Sequence, residues 1–290
     1  MSSLNYLDPG VRKRETIGFA SRFFKERESM KLLSKALCLA VILVFSGVSA
    51  AVAHEIWAIA ENPAEGQPLV AVLGYGHEFP HGEEIAQERL SIFYPLKVVD
   101  SQGNELALKP GDKNFKAVTE KPIEKGTYMI LTGYMPTYWS KGPEGSVMKA
   151  KNEVPGATHC ERYSRAAKGI VNIGGASDDF VTKPVGTKLE IVPMVNPAKV
   201  KAGQEFTIQV LQDGKPLRNA QVKGTIEGNK YAESGNRDFL GLTNKDGKVI
   251  MVPLKGGNWT LAVEVKDEYP DKAICDDEAG DATLTFFIAD

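Results

Sequence analysis

From about residue 186 onward the chain settles into a regular alternation of short apolar runs and turn residues, and that rhythm restricts the fold more than any other feature. Residues 189–194, 205–211, 221–226, 249–254, 260–265 and 283–288 are each of strand length and rich in β-branched or aromatic side chains. Between them stand Asp213-Gly214, Asp246-Gly247 and Gly256-Gly257, pairs suited to tight turns. Residues 188–290 therefore predict a C-terminal β-sandwich of immunoglobulin-like or transthyretin-like type.

Residues 54–187 carry a looser version of the same pattern. Strands are expected over 56–60 and 68–75, with 96–99 and 105–108 forming a hairpin around Asp100-Ser101-Gln102-Gly103-Asn104, then over 115–118 and 127–135. The polar, basic stretch 136–152, with Tyr138 and Trp139 among Lys141, Lys149 and Lys151, reads as an ordered excursion rather than a strand. Residues 157–168 fit a short helix with Tyr163, Ala166 and Ala167 on its inner face, stopped by Gly169 and succeeded by a strand over 170–173. The expected architecture is mostly β, two β-sandwich domains with one short helix near residues 157–168.

The first 53 residues read as targeting sequence. Lys31 and Lys35 precede an apolar run over 36–45, and Ser49-Ala50-Ala51-Val52-Ala53 offers a small-residue cleavage site, so residues 30–53 are expected to be a signal peptide. Residues 1–29, with Arg12, Lys13, Arg14, Arg22, Lys25 and Arg27, read as an upstream extension before a start at Met30. The apolar run is too short for a comfortable membrane anchor, so a periplasmic protein with no stable membrane insertion after cleavage is expected. The chain has 35 Lys+Arg against 37 Asp+Glu, and the basic leader holds a surplus of the cations. The chain beyond the leader is therefore mildly acidic, which argues against nucleic acid as a partner.

Cleavage after Ala53 would make His54 the first residue, offering an α-amine and an imidazole Nδ1 to one transition metal. Three of the four histidines, His54, His77 and His81, fall close together in sequence, the latter two in the loop Gly74-Tyr75-Gly76-His77-Glu78-Phe79-Pro80-His81-Gly82-Glu83-Glu84. If the first two strands pair, His54 meets one end of that loop, with Glu55, Glu78, Glu83 or Glu84 as carboxylates in reserve. Such a nitrogen-rich set suits Ni²⁺, Co²⁺, Cu²⁺ or Zn²⁺ rather than Ca²⁺ or Mg²⁺. Against it stands the plain alternative that these are solvated loop histidines, since Pro80 denies His77 and His81 the helix that would fix their spacing.

Cys160 and Cys275, alone in an oxidising compartment, are expected to form a disulfide, with a softer metal site built from His159-Cys160 and Cys275-Asp276-Asp277 as the alternative. No catalytic residue stands out. The chain has no G-x-S-x-G elbow, no Gly-rich phosphate loop and no H-E-x-x-H, while Asp178-Asp179 and Asp276-Asp277-Glu278 read as solvated charge.

A set of local motifs, taken in order, resembles a bacterial family. They are Ala53-His54-Glu55-Ile56-Trp57, Gly76-His77-Glu78-Phe79, Trp139-Ser140-Lys141 with Gly142-Pro143-Glu144-Gly145, and Arg162-Tyr163-Ser164-Arg165-Ala166-Ala167-Lys168. Leu189-Glu190-Ile191-Val192-Pro193 with Asn196-Pro197, Gly214-Lys215-Pro216-Leu217, Thr243-Asn244-Lys245-Asp246-Gly247 and Gly257-Asn258-Trp259 continue the series. The family is the periplasmic component associated with cobalt/nickel uptake transporters, much of it labelled a domain of unknown function. The resemblance implies a non-enzymatic protein that binds nickel or cobalt and assists delivery to an inner-membrane importer, with His54 and His77 as ligands; His81 rests on spacing alone. The competing expectation is an envelope interaction module whose aromatic stretch, Tyr134, Tyr138 and Trp139, binds a polypeptide or glycan.

Overall fold

The computed structural model describes residues 54–229 and 236–290. The expected upstream extension and signal peptide lie outside the described residues. The strands among the described residues run in the order β1 (Glu55–Glu61), β2 (Val70–Gly76), β3 (Phe93–Val99), β4 (Leu108–Pro110), β5 (Lys116–Thr119), β6 (Gly126–Gly142), β7 (Gly145–Val147) and β8 (His159–Ile173). Then come β9 (Leu189–Pro193), β10 (Phe206–Gln212), β11 (Lys215–Pro216), β12 (Gln221–Ile226), β13 (Phe239–Leu242), β14 (Lys248–Met251), β15 (Gly257–Glu268) and β16 (Asp277–Ile288).

Eight of these strands form one sheet in the order β13-β12-β15-β16-β8-β6-β3, with β7 added on β6. It runs across position 187/188, because β8 pairs in parallel with β16 on one edge and antiparallel with β6 on the other. Two four-stranded sheets cover it: β1-β2-β5-β4, and β11-β10-β14 with β9 on β10. Since side chains alternate along a strand with a period of two, the central sheet feeds a different core from each face. Tyr128 and Ile130 of β6 and Ala167 and Val171 of β8 pack with Ile56, Ala58 and Leu73 of the first small sheet. Met129 and Ile170, one position out of phase, pack with Ile191, Phe206 and Ile208 of the second, alongside Leu261 and Leu284. Fully burying each Ile, Leu, Val, Met or Phe side chain among these contributes about 1.5–3 kcal/mol.

The helix expected over residues 157–168 is not formed; from His159 on, the segment lies in β8. Its polar first half lacks strand-like alternation because its side chains answer charges on β16, as Arg162 does with Glu278 at 2.6 Å, rather than filling a core. The excursion expected over 136–152 is likewise mostly sheet, since β6 continues to Gly142 and turns back as β7. Further along the same face of β8 as Arg162, Lys168 Nζ donates to Glu190 Oε1 at 2.7 Å, and the two Glu190 oxygens also accept the backbone N–H groups of Val185 and Gly186. Burial lowers the Lys168 pKa, and the Glu190 carboxylate opposes that shift.

β1 lies against the central sheet with unusually little clearance. A Cβ at Gly169 of β8 would stand 2.3 Å from the carbonyl oxygen of Ala58, so only glycine lets the two backbones meet. Gly74 plays a similar part on the other face of β1, where the Trp57 indole occupies the space a side chain would need. Cys160 and Cys275 are joined in a disulfide that ties the start of β8 to the residues just before β16. Their sulfurs are therefore not metal ligands.

This packing can be tested at two places. Gly169→Ala should cost about 1–3 kcal/mol, the range for overpacking, read as a lower urea midpoint. Replacing both cysteines by serine opens a covalent loop of 115 residues and should cost about 4–5 kcal/mol on the chain-entropy model, read by the same unfolding curves.

Candidate metal centre

The antiparallel ladder of β1 and β2 pairs Glu55 with Gly76 and Ile56 with Tyr75. One step further along that register His54 stands across from His77, and their ring centroids are 4.3 Å apart. Tyr75, the diagonal neighbour, stacks on the His54 ring at 4.6 Å with an interplanar angle of 11°. The loop after β2 then folds back. Glu83 N–H donates to the Tyr75 carbonyl at 2.7 Å, which returns the Glu83 side chain to the histidines. Trp57 anchors the loop from below, its Nε1 donating to the Pro80 carbonyl and its ring meeting the edge of Phe79.

His54, His77 and Glu83 each offer a donor atom, and these atoms lie within 4.8 Å of one another. Donors on one tetrahedral zinc-like ion, bound at about 2.0–2.2 Å, stand roughly 3.3–3.6 Å apart, so the side chains draw together by about an ångström to close the set on an ion. His54 Nε2 is 3.5 Å from Glu83 Oε2, and the two side chains are 36% and 55% exposed, so an ion can reach them from solvent. Burial lowers the His54 pKa below its ordinary value, neighbouring His77 and Arg89 push the same way, and Glu83 opposes them. A neutral imidazole is the form that binds a metal.

Of the residues singled out from sequence, His54 and His77 meet, and Glu83 is the one of the four named carboxylates that joins them. His81 is not in the group; its N–H closes a tight turn onto the Glu78 carbonyl. Glu55 faces away and pairs with Arg237. The other acidic clusters are held by cations. Asp179 pairs with Lys199, while the Lys151 and Lys266 ammonium groups keep Asp276 and Asp277 below the usual carboxylate range.

Sequence reasoning missed the support beneath the histidines. Arg89 Nη1 donates to the Tyr75 hydroxyl at 2.8 Å, steadying the ring that stacks on His54. Arg165 of β8 donates through Nη1 to the His54 carbonyl, while its Nε lies 3.4 Å from Asp281 Oδ2 of β16. Tyr163 donates to the same carboxylate oxygen at 3.2 Å. Tyr134, Arg165 and Asp281 stand side by side on β6, β8 and β16, so strand register assembles this row. No signal in the sequence joins residues so far apart.

Burial raises Asp281 from 3.8 to about 6, against the opposing pull of Arg165. Between those values the native state holds a proton that the unfolded chain has lost, so this group's contribution to stability falls as pH rises through the window. Asp281→Asn should remove that part of the slope, measured by urea unfolding of both proteins across the window.

Comparisons with known proteins add a family and little else. A search of curated proteins found no match. Among solved structures, the Escherichia coli alpha-2-macroglobulin fragment spanning domains MG0-NIE-MG1 is 9% identical, with 83% of this chain and 73% of that one covered at a TM-score of 0.21. The D00-D0 domain of intimin is 11% identical at a TM-score of 0.20, covering 81% and 100%. The titin domains Z1Z2, solved in complex with telethonin, are 11% identical at 0.16, covering 81% and 96%. Scores this low carry no argument. The family model described as a domain of unknown function, DUF4198, matches residues 51–267, and the chain belongs to that family.

Proposed function

We propose that this protein, cleaved to begin at His54, binds a transition-metal ion in the periplasm and assists its delivery to an inner-membrane uptake transporter, with Ni²⁺ or Co²⁺ the favoured cargo. The observation that carries the reading is the convergence of His54, His77 and Glu83 donors within 4.8 Å at a partly exposed sheet edge. The resemblance to the periplasmic component of cobalt/nickel importers supports it independently of that geometry.

The chemistry of the donors fits a carrier. Two imidazoles and a carboxylate favour later first-row ions, Cu²⁺ and Zn²⁺ included, over Ca²⁺ and Mg²⁺. Once Ala53 is removed, His54 adds an α-amine with an ordinary pKa of about 7.7–8.0, and the arriving ion displaces its remaining proton. The five-atom path from amine to Nδ1 closes a chelate ring on the metal once the imidazole turns over about its Cβ–Cγ bond, since Nε2 is the nitrogen that faces Glu83 at 3.5 Å; a histidine inside the chain has no such amine to offer. Glu83, the most exposed of the three donors, stands where an ion enters and leaves. A carrier needs to bind and to release, and this arrangement asks nothing further of the protein.

The interaction-module reading finds less support, because Tyr134 is buried and Trp139 packs on the N-terminal core with the Arg89 guanidinium over its ring. Titration of the secreted protein, its first residue verified by mass, with nickel, cobalt, copper and zinc by calorimetry is the test. Stoichiometric binding should weaken by at least the roughly 10–100-fold typical of losing a ligand's supporting partner, both in His54→Ala and in a chain with one residue added before His54. Unchanged affinity in the extended chain removes the α-amine from the site. Absence of binding by all four ions returns the question to the envelope module.

A further inference from the structure

The first residues of a domain usually fray unless something ties them down. Here they are tied from far along the chain. Arg165, 111 residues on, donates to the His54 carbonyl, and Arg237, 182 residues on, pairs with the Glu55 carboxylate while also donating to Thr225 Oγ1 at 3.0 Å. Arg165 is only 11% exposed and Asp281 15%, and Asp281 Oδ1 is buried without a hydrogen-bond partner among the described residues. Burying a charged pair is costly unless the geometry is good. This pair is placed so that Arg165 reaches beyond the central sheet to the backbone oxygen of the residue just before β1's ladder.

Resting on the metal-binding reading above, we propose that Arg165, held by Asp281 and Tyr163, is the positioning residue of the metal centre: it presets His54 so that amine and imidazole address one ion. The argument is stereochemical. The Cα of His54 carries four substituents. Arg165 fixes the carbonyl carbon's side of the residue, and the stack on Tyr75 fixes the plane of the ring and with it Cβ, leaving a half-turn within that plane to choose which ring nitrogen faces the ion. With two of the three heavy substituents fixed, chirality decides where the nitrogen points. The newly freed amine is then already aimed, instead of having to be ordered when the ion arrives.

The entropy of fixing one residue's backbone corresponds to roughly a 5–30-fold change in affinity. Removing Arg165 should cost about that much, and only when an amine is there to be aimed. This separates aiming from general support of the fold. The same carbonyl contact exists whether or not the peptide bond before His54 is intact, so a chain bearing one added residue keeps the anchor but loses its use.

The experiment is a double-mutant cycle on the full secreted chain, with nickel(II) and copper(II) as the aqua ions and affinity read by calorimetry. Arg165→Met is compared with the unmodified protein, once with His54 first and once with one added residue before it. Arg165→Lys is carried alongside, since its ammonium can still donate to the carbonyl. The expected result is a loss of roughly 5–30-fold in the His54-first background, no further loss in the extended one, and substantial recovery with lysine. The copper absorption band of Arg165→Met should also move toward that of the extended chain. Equal losses in both backgrounds, or no loss in either, overturn the proposal while leaving metal binding intact. Failure of the unmodified chain to bind either ion removes the metal-binding reading and this inference with it. Should Arg165→Met not fold, Asp281→Asn takes its place in the cycle, with the same background dependence required of it.

Discussion

β8 is hydrogen-bonded along both edges and covered on both faces, and the arrangement of the molecule depends on that double enclosure. In such a strand a residue's parity decides which core it enters. Arg165 and Lys168 show the consequence: three positions apart, they face opposite ways, and each is largely withdrawn from water with its own carboxylate. Lys168 ties the central sheet to β9 through Glu190, which is also bonded to the backbone ahead of that strand. Arg165 reaches the other way, to the beginning of β1. A single strand thus sets the placement of both small sheets.

The same parity rule joins the candidate metal centre to the fold. His54, Ile56 and Ala58 share one face of β1, and Ile56 and Ala58 are fully buried against the central sheet. A one-residue slip of β1 against β2 would turn all three outward and set His54 across from a residue other than His77. The geometry that gathers two imidazoles is therefore enforced by apolar burial several residues away, and needs no metal to hold it. Gly169 belongs to this account, because the approach of Ala58 to β8 sets how near His54 can come to Arg165.

Much of this architecture is legible in the residues and some is not, for identifiable reasons. The C-terminal strands announce themselves through turn chemistry, and Asp213, Gly214 and Gly247 do adopt the left-handed backbone their pairs imply. His54 and His77 can be brought together on paper because two adjacent strands in sequence tend to pair, and Glu83 can be named only as one of four carboxylates. What selects it is a single backbone hydrogen bond to Tyr75. β8 escapes a local reading because half of it trades apolar alternation for charge pairs with a strand more than a hundred positions away, as Arg162 with Glu278 and Arg165 with Asp281. Local periodicity carries no trace of a partner at that distance, and the ionic row under His54 is invisible for the same reason.

The parallel pairing of β8 with β16 also imposes an order in time. A polypeptide emerges from its N-terminal side, yet Asp281 sits in β16, which is made long after β1 and β8 and lies between β15 and β8. The opening residues must wait for the closing ones before Arg165 has its counter-charge and His54 its anchor. The contact that holds His54 is thus braced by residues made long after it, which ties the placement of β1 to a strand far along the chain.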